Sequence, residues 1–181
     1  MPTYGEYRRS VPRVNVRRGY HGNETSGLTR TAKPKANESI QSGQIISLDS
    51  NGEWVKGVAA GKEPFIAFHD QADTDVQSSG LLLGLSCAGD YVIETGWFVA
   101  ASVYAEGTPL MAATGGDAGS VNVATNGYAG TTDIVGVVSH GGKQNVAGVN
   151  SQAAATVVSN VLTLNTLTFT TRWIPHRADQ P

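Results

Sequence analysis

Apolar residues in this chain come in short runs that a glycine or a polar turn breaks before a helical turn can repeat. Phe65-Ile66-Ala67-Phe68, Leu81-Leu82-Leu83 and Ile134-Val135-Gly136-Val137-Val138 are typical. An amphipathic helix needs apolar positions recurring every three to four residues over ten or more, and such a pattern is scarce here. With 22 glycines and only 15% charged residues, the chain is rich in the material of short strands joined by tight turns. The apolar share of 40% is enough for a buried core.

The strands can be placed one by one. Gln44 to Leu48 reads as a strand, and Asp49-Ser50-Asn51-Gly52 as a hairpin turn in which Asn-Gly supplies positive φ angles. Glu53 to Val58 returns as its partner. Phe65 to Phe68 is a third strand, closed by a polar loop from His69 to Ser79. Leu81 to Leu85, Tyr91 to Glu94 and Trp97 to Tyr104 follow as strands. From Gly107 the order first met at Gly43 returns: apolar strand (Thr108 to Met111), glycine-rich turn (Thr114 to Gly119), Val121 to Ala124, then Ile134 to Val138. The match is one of pattern, not of residue identity, and suggests internal duplication. Asn150 to Ser159, around Gln152-Ala153-Ala154-Ala155, is the one helical candidate, and Val161 to Trp173 alternates as a single long strand. Many short strands with regular turn signals predict an all-β fold, a small barrel, β-tulip or sandwich of short antiparallel strands.

The net charge of −2 conceals a division. Residues 1–35 hold eight basic and two acidic residues, +6, and the rest of the chain carries −8. Residues 1–39 also hold few large aliphatic residues, so little apolar surface is available to offset ordering entropy. The expected organisation is an extended basic N-terminal arm over 1–39, a β-rich body over 40–175 and a C-terminal tail over 176–181. Arg8, Arg9, Arg13, Arg17, Arg18 and Arg30 are the candidate binding residues, because guanidinium groups bond bidentately to carboxylates and phosphates. Nucleic acid is the less expected partner, since an acidic body repels phosphate. No apolar stretch nears the roughly 20 residues of a membrane span, and an apolar secretion h-region is missing at the N-terminus, so no membrane partner is expected.

Signs of catalysis are weak. Gly84-Leu85-Ser86-Cys87-Ala88 approaches a nucleophile elbow but lacks its last glycine and its strand-to-helix setting. Cys87, the single cysteine, reads as a small buried hydrophobe. His69, Asp70, Asp73 and Asp75 form the densest set of metal-type side chains, yet the spacing lacks the glycine and distal Glu of a calcium loop. Gly115 to Gly119 lacks the Lys-Ser/Thr of a phosphate loop and reads as a hairpin turn. No catalytic residue, metal, cofactor or small-molecule substrate is expected.

Three stretches carry a resemblance. Ser42 to Leu48, Gly107 to Ala113 and Asp133 to Ser139 are similar to segments of tailed-bacteriophage capsid decoration (cement) proteins. There, a glycine-led apolar strand, a glycine-rich turn and an apolar Val-Gly-Val type strand build a small β-body. The resemblance spans residues 40–140. It implies a homotrimer on the outer surface of the virion head, with an extended arm lying across the major capsid protein and stapling its subunits. Residues 1–39 would be that arm.

The function expected is thus a non-catalytic virion structural protein that bridges capsid subunits. The alternative is a head-fibre, tail or adhesin module binding a host glycan or receptor, which requires an exposed aromatic groove. An enzyme such as a polysaccharide hydrolase would require two close carboxylates in a pocket.

Overall fold

In the computed structural model the described residues are 14–18, 29–59, 61–71, 74–89, 91–99, 104–130, 132–139, 155–158, 161–164 and 167–176. They form an all-β structure, as expected. The strands are β1 (Val14–Arg18), β2 (Thr29–Ala32), β3 (Ile45–Leu48), β4 (Trp54–Lys56), β5 (Phe65–Ala67), β6 (Leu82–Ser86), β7 (Val92–Thr95), β8 (Pro109–Ala112), β9 (Val121–Val123), β10 (Ile134–Val138), β11 (Ala155–Val158), β12 (Val161–Leu164) and β13 (Leu167–Ile174). One sheet has the order β2-β6-β5-β3-β4, the other β1-β7-β13-β10-β8-β9, and β11 pairs with β12. All strand pairings are antiparallel.

The five-stranded sheet and the strands β7-β13-β10-β8-β9 of the six-stranded one are two copies of one unit, to which β1 is added in the second. In the first, β3 lies between β4 and β5, with Ile46 opposite both Lys56 and Phe65. In the second, β8 lies between β9 and β10, with Leu110 opposite both Val123 and Gly136. Next, β5 pairs with β6 and β10 with β13, and the outer partners are β2 and β7. The loop hydrogen bonds repeat as well. Gly43 N–H donates to the Ala67 carbonyl (2.7 Å) and Gly107 N–H to that of Val138 (2.9 Å). Ala67 N–H donates to Gln44 (2.8 Å) and Val138 N–H to Thr108 (2.9 Å). Gly43 and Gly107, 64 positions apart, both take positive φ (86° and 79°), a backbone state open to glycine at little cost. The duplication suggested by the sequence is therefore present in the backbone, and it runs further than residues 43–138.

Each unit also curls in the same way. After β2 the chain crosses to the far edge of its sheet, where Trp54 N–H donates to Lys33 (2.8 Å) and Lys35 N–H to Trp54 (2.9 Å). After β7 it does the same, with Val121 N–H donating to Trp97 (3.0 Å) and Val99 N–H to Val121 (2.9 Å). Pro34 pairs with Trp54 and Phe98 with Val121 in isolated parallel bridges. One run of chain thus ties both edges of its sheet, without closing the ladder into a barrel.

This curl explains why β3 and β5 are buried on both faces. Ile46, Trp54, Phe65, Ala67 and Leu82 pack with Ile40 inside the first unit. The alternate residues Ile45, Ile66 and Leu85 turn the other way and join Ile93, Leu110, Val121, Val138, Leu167 and Phe169 of the second unit. A strand buried on both faces reads as an unbroken apolar run, not as an alternation. Polar ties join the units: Thr95 Oγ1 donates to the Gly43 carbonyl (2.9 Å) and Trp97 Nε1 to that of Ser42 (3.0 Å).

Several expectations differ from the structure. Thr29–Ala32 and Lys33 to Lys35, placed in the arm by composition, belong to the first unit. The loop after β5 contains a short helix, Thr74–Ser79. Ala155–Val158, inside the helical candidate, is a strand paired with β12. The stretch from Val161 to Trp173 forms two strands in different sheets, β12 in the inserted hairpin and β13 in the second unit. Its period-two pattern suits both, so alternation alone does not mark the change of partner.

Candidate functional site

The basic segment enters the structure at two sheet edges. Val14–Arg18 lies along the outer side of β7, with Val14 opposite Thr95, Asn15 opposite Glu94 and Val16 opposite Ile93. The register shifts between Val16 and Arg18, which places Arg17 at an irregularity of the ladder and Arg18 opposite Val92. Arg30 lies on β2, at the edge of the other sheet, and its residue is exposed. Arg8, Arg9 and Arg13 lie outside the described residues. The candidate arginines that are described are therefore divided between the edges of two units.

Around Arg30 the fold adds groups that linear order does not connect. A groove of about 280 Å³ runs between β2 and the β3–β4 turn, lined by Arg30, Leu48, Asp49, Lys62, Glu63 and Phe65 among others. Lys62 is exposed on its rim. Asp49 is occupied: its carboxylate meets Lys35 Nζ at 3.2 Å and accepts the N–H groups of Asn51 (2.8 Å) and Glu53 (3.1 Å). The bond from Glu53 is the main cause that holds the Asp49 carboxyl below its ordinary pKa, and Asn51 and Lys35 add to it. Glu63 accepts a hydrogen bond from Ser86 Oγ. Lys62 went unnoticed in the sequence because its position beside Arg30 depends on the β5–β6–β2 pairing.

The groups weighed for catalysis take structural places. Ser86 ends β6 buried, with its hydroxyl on Glu63 and its Oγ accepting from Ala88 N–H (3.0 Å). Cys87 is fully buried, and desolvation, with the Glu63 charge as a second cause, pushes its thiol pKa far up. Asp70 Oδ1 accepts from Ser42 N–H (2.7 Å), which fixes the entry to β3. His69 stacks edge-on against Phe68 with ring centroids 5.1 Å apart. Asp73 lies outside the described residues. Among the described residues no three His, Cys, Asp or Glu side chains gather at metal-binding distances. Gly115–Asp117 forms a 3-10 turn within the β8–β9 hairpin, in keeping with the hairpin reading.

A second cleft, of about 300 Å³, is lined by Val58, Met111, Ala112, Asp133 and His176 among others. Its carboxylate is engaged by the backbone, since His176 N–H donates to Asp133 Oδ1 (2.7 Å). Trp54 and Trp97 are buried and Trp173 is half-buried, so the large indoles serve packing. Among the described residues no helix is long and apolar enough to cross a membrane. No known protein family matches the chain, and neither the curated proteins nor the solved structures give a match.

Proposed function

We propose that this protein is a non-catalytic structural protein of a phage virion. It binds the outer surface of the capsid and stabilises it by bridging subunits of the major capsid protein. The observation that carries this reading is the way the basic segment docks: Val14–Arg18 adds to an existing sheet edge by backbone pairing. A strand held at an edge by main-chain bonds is suited to stapling, because such pairing demands little of the sequence that receives it. Resemblance supports the same reading. Ser42 to Leu48 and Gly107 to Ala113 contain β3 and β8, which hold the same place in the two units, and Asp133 to Ser139 contains β10, whose counterpart in the first unit is β5.

In this reading Arg8, Arg9, Arg13, Arg17, Arg18 and Arg30 meet acidic patches of the shell, and the protein acts as a homotrimer. Repetition over a lattice turns modest single contacts into tight attachment.

Co-sedimentation with purified undecorated phage heads tests it, using the full-length chain and a version that begins at residue 29. The intact protein should saturate the heads, with binding that weakens as salt rises. The shortened one should bind far more weakly. If neither form sediments with any head while both remain folded, the capsid reading is wrong.

A further inference from the structure

The two units differ at one edge. In the second, the outer side of β7 is covered by β1, antiparallel over Val14–Arg18. In the first, β2 stands in the place of β7, with Arg30 opposite Gly84 as Ile93 is opposite Phe169. Among the described residues no strand lies on the outer side of β2. The groove between β2 and the β3–β4 turn opens there, with Leu48 and Phe65 in its lining.

We propose that this groove is a strand-addition site and that its occupant is an acidic extended segment of a partner protein. Three features of the groove point to that chemistry. The residue equivalent to the fully buried Ile93 is the exposed Arg30, so an added strand meets a guanidinium where β1 meets an apolar residue of β7. Lys62 supplies a second exposed cation on the same lining. The two carboxylates of the lining are turned to internal partners, Asp49 to Lys35 and the turn amides, Glu63 to Ser86. Among the described residues neither Arg30 nor Lys62 has a carboxylate partner.

Charge also argues against a second copy of the chain's own β1 as the occupant. In the register β1 holds on β7, Val14-Asn15-Val16-Arg17-Arg18 would set Val16 opposite Arg30, leave that guanidinium without a counter-charge and bring two further arginines to the same ladder. A segment alternating carboxylates with β-forming residues gains backbone bonds along β2 and opposite-charge pairs with Arg30 and Lys62. The inference goes beyond the capsid reading, because it holds for an acidic strand from any partner protein.

The test uses the full chain and three fluorescent ten-residue peptides: alternating Thr-Glu, alternating Thr-Lys, and the Thr-Glu peptide with its two central threonines replaced by proline. The Thr-Glu peptide should bind and should slow amide exchange over Thr29–Ala32. The variant Arg30→Glu/Lys62→Glu should weaken its binding by about tenfold or more. The proline peptide should bind poorly, since it cannot complete the ladder. The proposal is overturned if the Thr-Lys peptide binds as well as Thr-Glu, which would admit the chain's own β1. It is equally overturned if charge reversal leaves binding unchanged, or if the proline peptide binds like its parent, which would mean a charged surface and no added strand. None of these outcomes depends on phage heads, so failure here and failure of the capsid reading are separable.

Discussion

A Cβ atom placed on Gly136 would lie 2.5 Å from Cδ2 of Phe169, so the Phe169 ring fills the space that a side chain on the neighbouring strand would need. The equivalent positions in the first unit are Phe65 and Gly84, with the roles exchanged. There a Cβ on Gly84 would meet the Trp54 ring at 2.9 Å and Phe65 Cβ at 3.2 Å. Each unit therefore holds one glycine and one phenylalanine at this pair, supplied from opposite strands. The repeat preserves the volume of the site without preserving residue identity, which is why the duplication is faint in the sequence.

Adding a methyl group at either glycine should therefore overpack a curled sheet. Gly136→Ala and Gly84→Ala are each expected to lose ~1–3 kcal/mol of stability. Gly136→Ala should sit at the upper end, because its Cβ also meets the Thr170 carbonyl at 2.7 Å, and backbone yields less than a side chain. Urea unfolding should show lower midpoints with an unchanged slope.

Trp54 fills the first unit and its Nε1–H donates to the Leu82 carbonyl at 2.8 Å. Trp54→Phe leaves that buried acceptor without its donor and opens a void beside Gly84. A loss of at least ~1–3 kcal/mol is expected from the unpaired carbonyl alone. The same denaturation measurement checks it.

The boundary of the folded body can be tested by deletion. A chain starting at residue 29 keeps β2 and the bonds that Lys33 and Lys35 make with Trp54, and should melt cooperatively with the first sheet intact and the second lacking only β1. A chain starting at residue 40 loses these, and its first unit should unfold at lower temperature or fail to form. Near-ultraviolet circular dichroism, sensitive to the setting of Trp54, distinguishes the two.

Asp49 gives the β3–β4 turn a dependence on pH. Its folded pKa lies below the ordinary value, so the charged form is the one the fold favours. The stability it contributes is present above the unfolded pKa of about 4 and is lost as pH falls through the folded value. Comparing the wild type with Asp49→Ala across pH 2 to 7 should show a stability gap that closes toward the acid end. A gap independent of pH would rule out the carboxylate as its source.

Cys87 should resist aromatic disulfide reagents in the native state. Burial disfavours the thiolate that reacts. Labelling should proceed only at the rate of opening and should accelerate in urea in step with unfolding.

The repeated glycine-led strands, the hairpin loops and the all-β class were legible in the sequence because they rest on local rules. Gly52 takes positive φ (77°) in the turn where Asn-Gly was read, although Asn51 does not share it. Two groups of residues were not legible. Thr29–Ala32 holds no large apolar side chain and looks like arm, yet pairing with β6 makes it a strand. Strands β12 and β13 share one alternating pattern and differ only in their partners. Of the candidate site, the basic character of the N-terminal segment was visible. Its division between two sheet edges, and the presence of Lys62 beside Arg30, were not.

The sequence by itself determined the secondary-structure class and the +6 bias of its first 35 residues, because backbone propensity, turn chemistry and charge act over a few neighbouring positions. Only the tertiary structure decided which strands become equivalent, that one edge carries β1, and that the matching edge presents Arg30 beside a groove. Those outcomes depend on pairing between residues as far apart as Val14 and Thr95, where the volume and charge available at one position are set by whatever the fold brings opposite it.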